Sequence, residues 1–349
     1  MSTPLASLFA WIRANPSGHT FTVAPIPGHD GVYLGADAAQ RPVLFVKATG
    51  RLTEPSMRTS HVSLHVGQEY TVAAVGMPAV SERFHALRCE SADEGDMETF
   101  LVLVEAYLNR HAQGGMDRGS LTGFFSSVSR LFSIERSSDL GGERQGLWGE
   151  LFFMRSVRGF TFWAPFWHSE TTRKFDFSAF GSRRVEVKTA VGQQRIHNFA
   201  HRQIYALEGE EIMIVSILLR KEDAGLSLKE LVMEARLALS GTDHFLKLEQ
   251  AVRRAGMEAM DEPGPAYDPT EATENLAWFK AEHAPHFTMP EPSGVSQTHY
   301  RVDLSTAPQT DLRELSSWLD AWIAPQLEVS KRSRKPDGES QETKSFNWG

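Results

Sequence analysis

At 349 residues the chain is long enough for two domains, and 41% hydrophobic residues allow a substantial core. A net charge of −8 excludes a globally basic nucleic-acid binder. The single cysteine, Cys89, excludes internal disulfides and a cysteine-built zinc site.

The opening segment, MSTPLASLFAWIR, has no basic lead and no small-residue cleavage site, so it does not read as a signal peptide. The longest apolar run, IMIVSILL at 212–219, is too short to span a bilayer. Both features predict a cytoplasmic protein with no membrane partner. SLFAWIRAN is a short helix, and FTVAPI, GVYLGAD and RPVLFVKA are strands separated by Gly, Pro and Asp turns. HVSLHVGQEYTVAAV and RFHALRCES continue the strands; METFLVLVEAYLNRHAQ and LTGFFSSVSRLFSI are helices. The polar, Gly-containing ERSSDLGGERQ at 135–145 marks a domain junction at about 136 to 146. Beyond it QGLWGELFFMRSVRG is a helix, GFTFWAPFW an extended run, KFDFSAF and RRVEVKTA strands, HNFAHRQIYALEG a helix and EIMIVSILLRK a covered strand. LSLKELVMEARLALSG and DHFLKLEQAVRRAG are amphipathic helices stopped by glycine. Residues 257–297 read as an irregular excursion, THYRVDLST as a strand and DLRELSSWLDAWIAPQL as a helix with an Asp cap. This gives a mixed, strand-rich α/β domain at 1–135, a second α/β domain with helical additions at 136–327, and a disordered tail at 328–349.

Charge is unevenly spread. Between Leu151 and Lys221 eleven basic residues face six acidic ones, a local +5 within an acidic chain. Such a window suits phosphate contacts. Inside it, RRVEVKTA places Val185 and Val187 on one side of a strand and Glu186 and Lys188 on the other. In KFDFSAF, Phe175 and Phe177 are expected toward the core and Asp176 opposite, with Gly181-Ser182 turning one strand into the next. Asp176, Glu186 and Lys188 would then share a face. Two carboxylates suit Mg²⁺, which takes one or two and keeps several waters. A lysine beside them can orient the attacking water and offset charge at a phosphate. On alternation alone, a solvated hairpin face is the simpler outcome.

Context moves the balance. Glu150 lies on the preceding helix, and the order from 146 to 221 is helix, three strands, helix, strand. That order, with an acid on the helix, Asp176 on the second strand and Glu186-x-Lys188 on the third, resembles the PD-(D/E)XK nuclease core over about 75 residues. GLWGELFFMRS, the Trp163/Trp167 segment, FDF, VEVKTA and RIHNFAHRQI are more narrowly similar to a bacterial family of PD-(D/E)XK-motif proteins associated with restriction and phage-defence loci. The resemblance implies a restriction-endonuclease-like domain with a mixed central sheet flanked by helices. It places Asp176, Glu186 and Lys188 at the catalytic positions, Glu150 at the auxiliary acid and Gln203 on the following helix. Asp176, Glu186 and Glu150 would bind Mg²⁺ or Mn²⁺. Phe175 stands where the superfamily has proline, a mild departure because proline is not a ligand.

A second stretch, KPDGESQETK at 335–344, matches the letters better but lacks apolar alternation, an acidic helix before it and a buried strand after it. Nothing there would hold carboxylates in place. His197 and His201, four apart on the expected helix, have a zinc-compatible spacing but lack further ligands; with Arg195 and Arg202 they are expected to face solvent or phosphate. Trp148 is expected in the core, while Trp163 and Trp167 remain open between core and base stacking. No phosphate loop or nucleophile elbow is present. The expected activity is a Mg²⁺-dependent DNA endonuclease in bacterial restriction or anti-phage defence. Arg183, Arg184, Arg195, His197 and Arg202 would contact DNA. The alternative is a non-cleaving DNA-binding or scaffolding subunit of a defence complex. Expected partners are DNA, defence proteins such as an ATPase or methylase, and a second copy of the chain.

Overall fold

The computed structural model describes residues 4–49, 54–111, 116–168, 174–179, 182–258, 262–311 and 313–322. The tail from 328 and the KPDGESQETK stretch lie outside these residues, as does Gly181 of the expected turn. The structure is α/β, with a strand-rich N-terminal region as expected.

Helix α1 (Pro4–Ala14) precedes β1 (Phe21–Pro25), β2 (Val32–Ala36), β3 (Pro42–Lys47), β4 (Glu54–Arg58), β5 (Val62–Ala74) and β6 (Val80–Cys89). Neighbours pair antiparallel in the order β1-β2-β3-β6-β5-β4, and β1 also pairs parallel with β5. The five strands β1, β2, β3, β6 and β5 therefore close into a small barrel. Its interior is filled by Phe21, Val23, Val43, Phe45, Tyr70, Val72, Phe84 and Ala86. The Phe45 ring sits edge-on to Phe21, Tyr70 and Phe84 at 5.3–5.4 Å. Gly35 makes room for it: a Cβ there would lie 2.9 Å from the Phe45 ring. Outward-facing Leu34, Leu44, Leu64 and Leu87 join a second core with α2 (Glu94–Arg110) and α3 (Arg118–Phe132). Strand β3 is covered on both faces, which explains its continuous apolar run PVLFV.

The next elements are α4 (Leu140–Ser156), α5 (Phe160–Trp163), β7 (Phe177–Ser178), β8 (Arg183–Val191), β9 (Ile196–Ala200), α6 (His201–Ile204) and β10 (Glu211–Leu219). They continue with β11 (Lys221–Ser227), α7 (Leu228–Leu239), α8 (Phe245–Arg254), β12 (Ala266–Tyr267), α9 (Pro269–Glu274), β13 (Leu276–Lys280) and β14 (His299–Asp303). A helix over 313–322 is capped by Asp311, whose carboxylate accepts from the backbone of Arg313 and Glu314. The central sheet runs β13-β10-β8-β7, with β8 and β10 parallel and both outer pairs antiparallel. Strand β10 divides its apolar residues between two cores. Met213, Val215, Ile217 and Leu219 face α4 and the shared core; Ile212 and Ile214 face Phe199, Ile204 and Phe279.

Several expectations need correction. GFTFWAPFW is not extended: it forms α5 and a turn, with one isolated bridge from Trp167 to Phe177. HNFAHRQIYALEG is not one helix; β9 pairs with β14 and only four residues coil as α6. The 257–297 excursion supplies β13, the edge of the central sheet. Phe175 and Phe177 face different cores, because residues 174–176 bend before the strand begins. Residues 136–146 are exposed or half-buried but held by hydrogen bonds. Asp139 caps α4, and Arg144 donates to the carbonyls of Ala255 and Gly256 at 2.9 Å. The change of architecture falls there, yet one core cluster runs from Leu5 to Trp322.

Candidate active site

Helix α4 lies across β8 because Gly149 lets it approach. A Cβ at Gly149 would stand 2.3 Å from Thr189 Cγ2. Gln145, one turn earlier, donates to Thr189 Oγ1 at 3.0 Å. This fixes Glu150 beside the start of β7, where Trp167 Nε1 donates to its Oε2 at 2.5 Å. Asp176 just precedes β7. Extending the register, in which Phe177 faces Val185, puts Asp176 opposite Glu186. Its Oδ2 accepts from the Val187 backbone N–H at 2.7 Å. On β8, Lys188 Nζ lies 2.8 Å from Glu186 Oε1 and donates to Gln203 Oε1 at 3.2 Å. Gln203 Oε1 also accepts from Ala200 N at 3.0 Å, so the side chain that starts α6 also holds the lysine.

The structure thus brings together all five residues: Glu150, Asp176, Glu186, Lys188 and Gln203. Its electrostatics are unbalanced, with three acids and one lysine. Burial pushes Glu186 up to about 8, and the charge of Asp176 adds to that. Burial, then Asp176, raises Glu150 well above the carboxylate range. Burial raises Asp176, although Lys188 and the Val187 N–H oppose it. Burial works against the Lys188 ammonium, but Glu186 and Asp176 more than offset this and hold it above the ordinary lysine value. Glu186 Oε2 is buried with no hydrogen-bond partner among the described residues. A buried anionic oxygen without a donor is costly, and a cation relieves it. The donor set, hard oxygens with surplus negative charge, suits Mg²⁺ or Mn²⁺.

Among the described residues, no three His, Cys, Asp or Glu side chains converge as a ligand set on their own. Asp176 and Glu186 form the pair, while Glu150 is engaged by Trp167. Among those residues, too, no helix is long and apolar enough to cross a membrane.

Asp176 and Glu186-x-Lys188 fit the letters in the description of the family that the chain matches. Residues 21–305 match the family described as "Putative PD-(D/E)XK family member" (DUF4420). The chain belongs to this family. No curated protein and no solved structure matches it. The PD-(D/E)XK match begins at β1 and so takes in the barrel as well as the central sheet.

The proposed DNA-contact residues fare differently. His197 is buried and neutral: burial, then the charges of Lys188 and Arg195, lower it to about 4, and its Nε2 meets Ser216 Oγ at 2.8 Å. Arg195 donates to Ser216 O, Ser216 Oγ and Asn275 O at 2.7–3.0 Å, bracing β10. Arg183 bonds Glu211 at 3.0 Å and the Ala321 carbonyl. Arg202 bonds Glu210 at 3.0 Å and the Tyr205 carbonyl; Arg184 bonds carbonyls of Ala179 and Arg183. The expected basic face is therefore largely spent within the chain. His201 is buried too, stacked on Tyr205 with Nδ1 3.1 Å from Tyr300 Oη, so the zinc spacing dissolves with the helix. Trp148, Trp163 and Trp167 are all fully buried, which settles them as core.

Sequence reasoning missed the roles of Gly149, Trp167 and Ser216. The signal for Ser216 was visible: it is the polar residue within IMIVSILL, and it pairs with Lys188 across β8 and β10.

Proposed function

We propose that the protein is a Mg²⁺-dependent deoxyribonuclease that hydrolyses phosphodiester bonds. One observation carries this reading: Glu186, facing Asp176 across β7 and β8, keeps a buried carboxylate oxygen unpartnered while Lys188 is fixed beside it. Asp176 and Glu186 would hold the metal, with Glu150 behind them through water. Bound there, Mg²⁺ supplies charge to the scissile phosphate and lowers the pKa of a bound water. Lys188, kept protonated by its acidic neighbours, orients the attacking water and offsets charge on the phosphate. Gln203 holds Lys188 so that one donor direction stays on the reacting atoms. Trp167 holds Glu150 and shuts the apolar side of the site.

The reading includes the setting implied by the resemblance, a bacterial restriction or anti-phage system. There an ATPase, a methylase or a second copy of the chain would complete the machine. The internal pairing of Arg183, Arg184, Arg195 and Arg202 supports a second reading, a subunit that needs partners to grip DNA or does not cut at all. Supercoiled plasmid incubated with Mg²⁺ or Mn²⁺ tests the first. The wild type should nick or linearise it, and Lys188→Ala should lose at least about 100-fold. Equal cleavage by both sinks the role of Lys188. Cleavage by neither, with no Mg²⁺ or Mn²⁺ binding by calorimetry, favours the second reading.

A further inference from the structure

The ammonium of Lys188 is held on more than its oxygen side. Two of its neighbours are Glu186 Oε1 at 2.8 Å and Gln203 Oε1 at 3.2 Å. A third is the face of the Phe199 ring, whose centroid lies 5.1 Å from Nζ. At that distance the negative face of an aromatic ring attracts a cation, and the attraction grows when water is excluded. Phe199 is fully buried, so it acts on the lysine and not on a substrate.

The ring is fixed from both directions along β9. Alternation turns His197 and Phe199 inward and leaves Asn198 exposed. His197 Nε2 meets Ser216 Oγ at 2.8 Å, and Ser216 is the β10 partner of Lys188. The strand is thus pinned two residues before the ring, next to the lysine. One residue after the ring, Ala200 N donates to Gln203 Oε1 at 3.0 Å, the same oxygen that accepts from Lys188. Packing accounts for a large apolar residue at 199, which shares a core with Ile212, Ile214 and Phe279. It does not account for an ammonium over the ring. A leucine would also fill that core, but it would leave the charge against hydrocarbon.

We propose that Phe199 is a positioning residue for the nuclease reaction: its ring face keeps the Lys188 ammonium between Glu186 and Gln203, so that the third N–H stays on the attacking water. This rests on the nuclease reading. An ammonium carries three donors. Two are taken by the carboxylate and the amide oxygen, and the ring closes the apolar side without claiming the third. No bond is made or broken at Phe199.

The test replaces Phe199 with phenylalanines carrying one, two and three ring fluorines, which weaken the negative face and hardly change its size. In plasmid cleavage with Mg²⁺, kcat should fall stepwise, about tenfold at three fluorines, with KM and melting temperature unchanged. Phe199→Leu should lose at least as much. The same series at Phe45, a barrel ring that meets other rings, should leave kcat unchanged. A flat series at Phe199 would reduce the ring to packing and overturn the proposal. A second readout needs no cleavage. Protons above a ring face resonate upfield, so the ε-methylene protons of Lys188 should lie upfield of those of other lysines and return in Phe199→Leu. No such shift would also overturn the proposal. The shift in a wild type that cuts nothing would sustain the placement of the lysine and sink the nuclease reading beneath it.

Discussion

Two clusters of charge in this molecule look alike in sequence and differ in kind. On the barrel, Asp37 accepts from the backbone of Ala39 and Arg41 at 2.9 Å and from the guanidinium groups of Arg41 and Arg88 at 2.8–3.3 Å. Glu90 accepts from Ser63 at 2.6 Å, and Arg58 and Arg41 sit at 3.3–3.4 Å. Every acid there is matched. In the central sheet, Glu150, Asp176 and Glu186 share one lysine, and one carboxylate oxygen has no donor among the described residues. A network whose acids are all matched holds a fold together, even though Arg88 Nε in it has no hydrogen-bond partner among the described residues. An unbalanced one waits for something positive.

The contrast breaks most sharply under paired substitutions. Asp176→Asn keeps the acceptor for Val187 N and relieves buried charge, so the melting temperature should hold or rise while cleavage falls at least about 1000-fold. Asp37→Asn should do the opposite. It strands Arg41 and Arg88, costs about 2–4 kcal/mol in a denaturant melt, and leaves the rate per folded molecule unchanged. A stability loss at Asp176 larger than at Asp37 would erase the distinction.

A pH series sharpens it. Glu186 is raised from an ordinary 4.5 to about 8, so the native state binds its proton more tightly than the unfolded chain does. The stabilisation is complete below about pH 4.5 and is lost as pH rises through about 8. Without metal, stability should fall by about 2–4 kcal/mol across that window, and Mg²⁺ should restore it. Glu186→Gln should flatten the profile. A wild-type curve with no slope there would mean that Glu186 is not the strained group. The smallest effect concerns packing. Gly149→Ala should cost about 1–2 kcal/mol by thermal melt, because its Cβ meets Thr189 Cγ2, and Thr189→Ser should recover it.

Much of this site was legible in advance, for identifiable reasons. Period-two alternation in RRVEVKTA survives intact, with Val185 and Val187 inward and Glu186 and Lys188 opposite. Glu150 and Gln203 were reachable because their helices are local. Asp176 came out at the right place for a partly wrong reason: the bend at 174–176 splits Phe175 from Phe177, and no local pattern announces a bend. The partners of the arginines were not legible, because a guanidinium near a candidate site looks the same in sequence whatever it binds, here for Arg195 the distant Asn275 carbonyl. Strand β13 was hidden because five residues, LAWFK, sit among prolines and acids and gain their strand character only from β10. Barrel closure was hidden likewise, since β1 meets β5 across some fifty residues.

The bond from Trp167 to Glu150 has a practical consequence. An indole proton held 2.5 Å from a carboxylate, heavy atom to heavy atom, resonates far downfield of an ordinary one, and its position follows the charge on its acceptor. One NMR signal, assigned by a Trp167→Phe control, would therefore read out the charge state of Glu150 without any added label. The molecule carries its own gauge of when the site is filled.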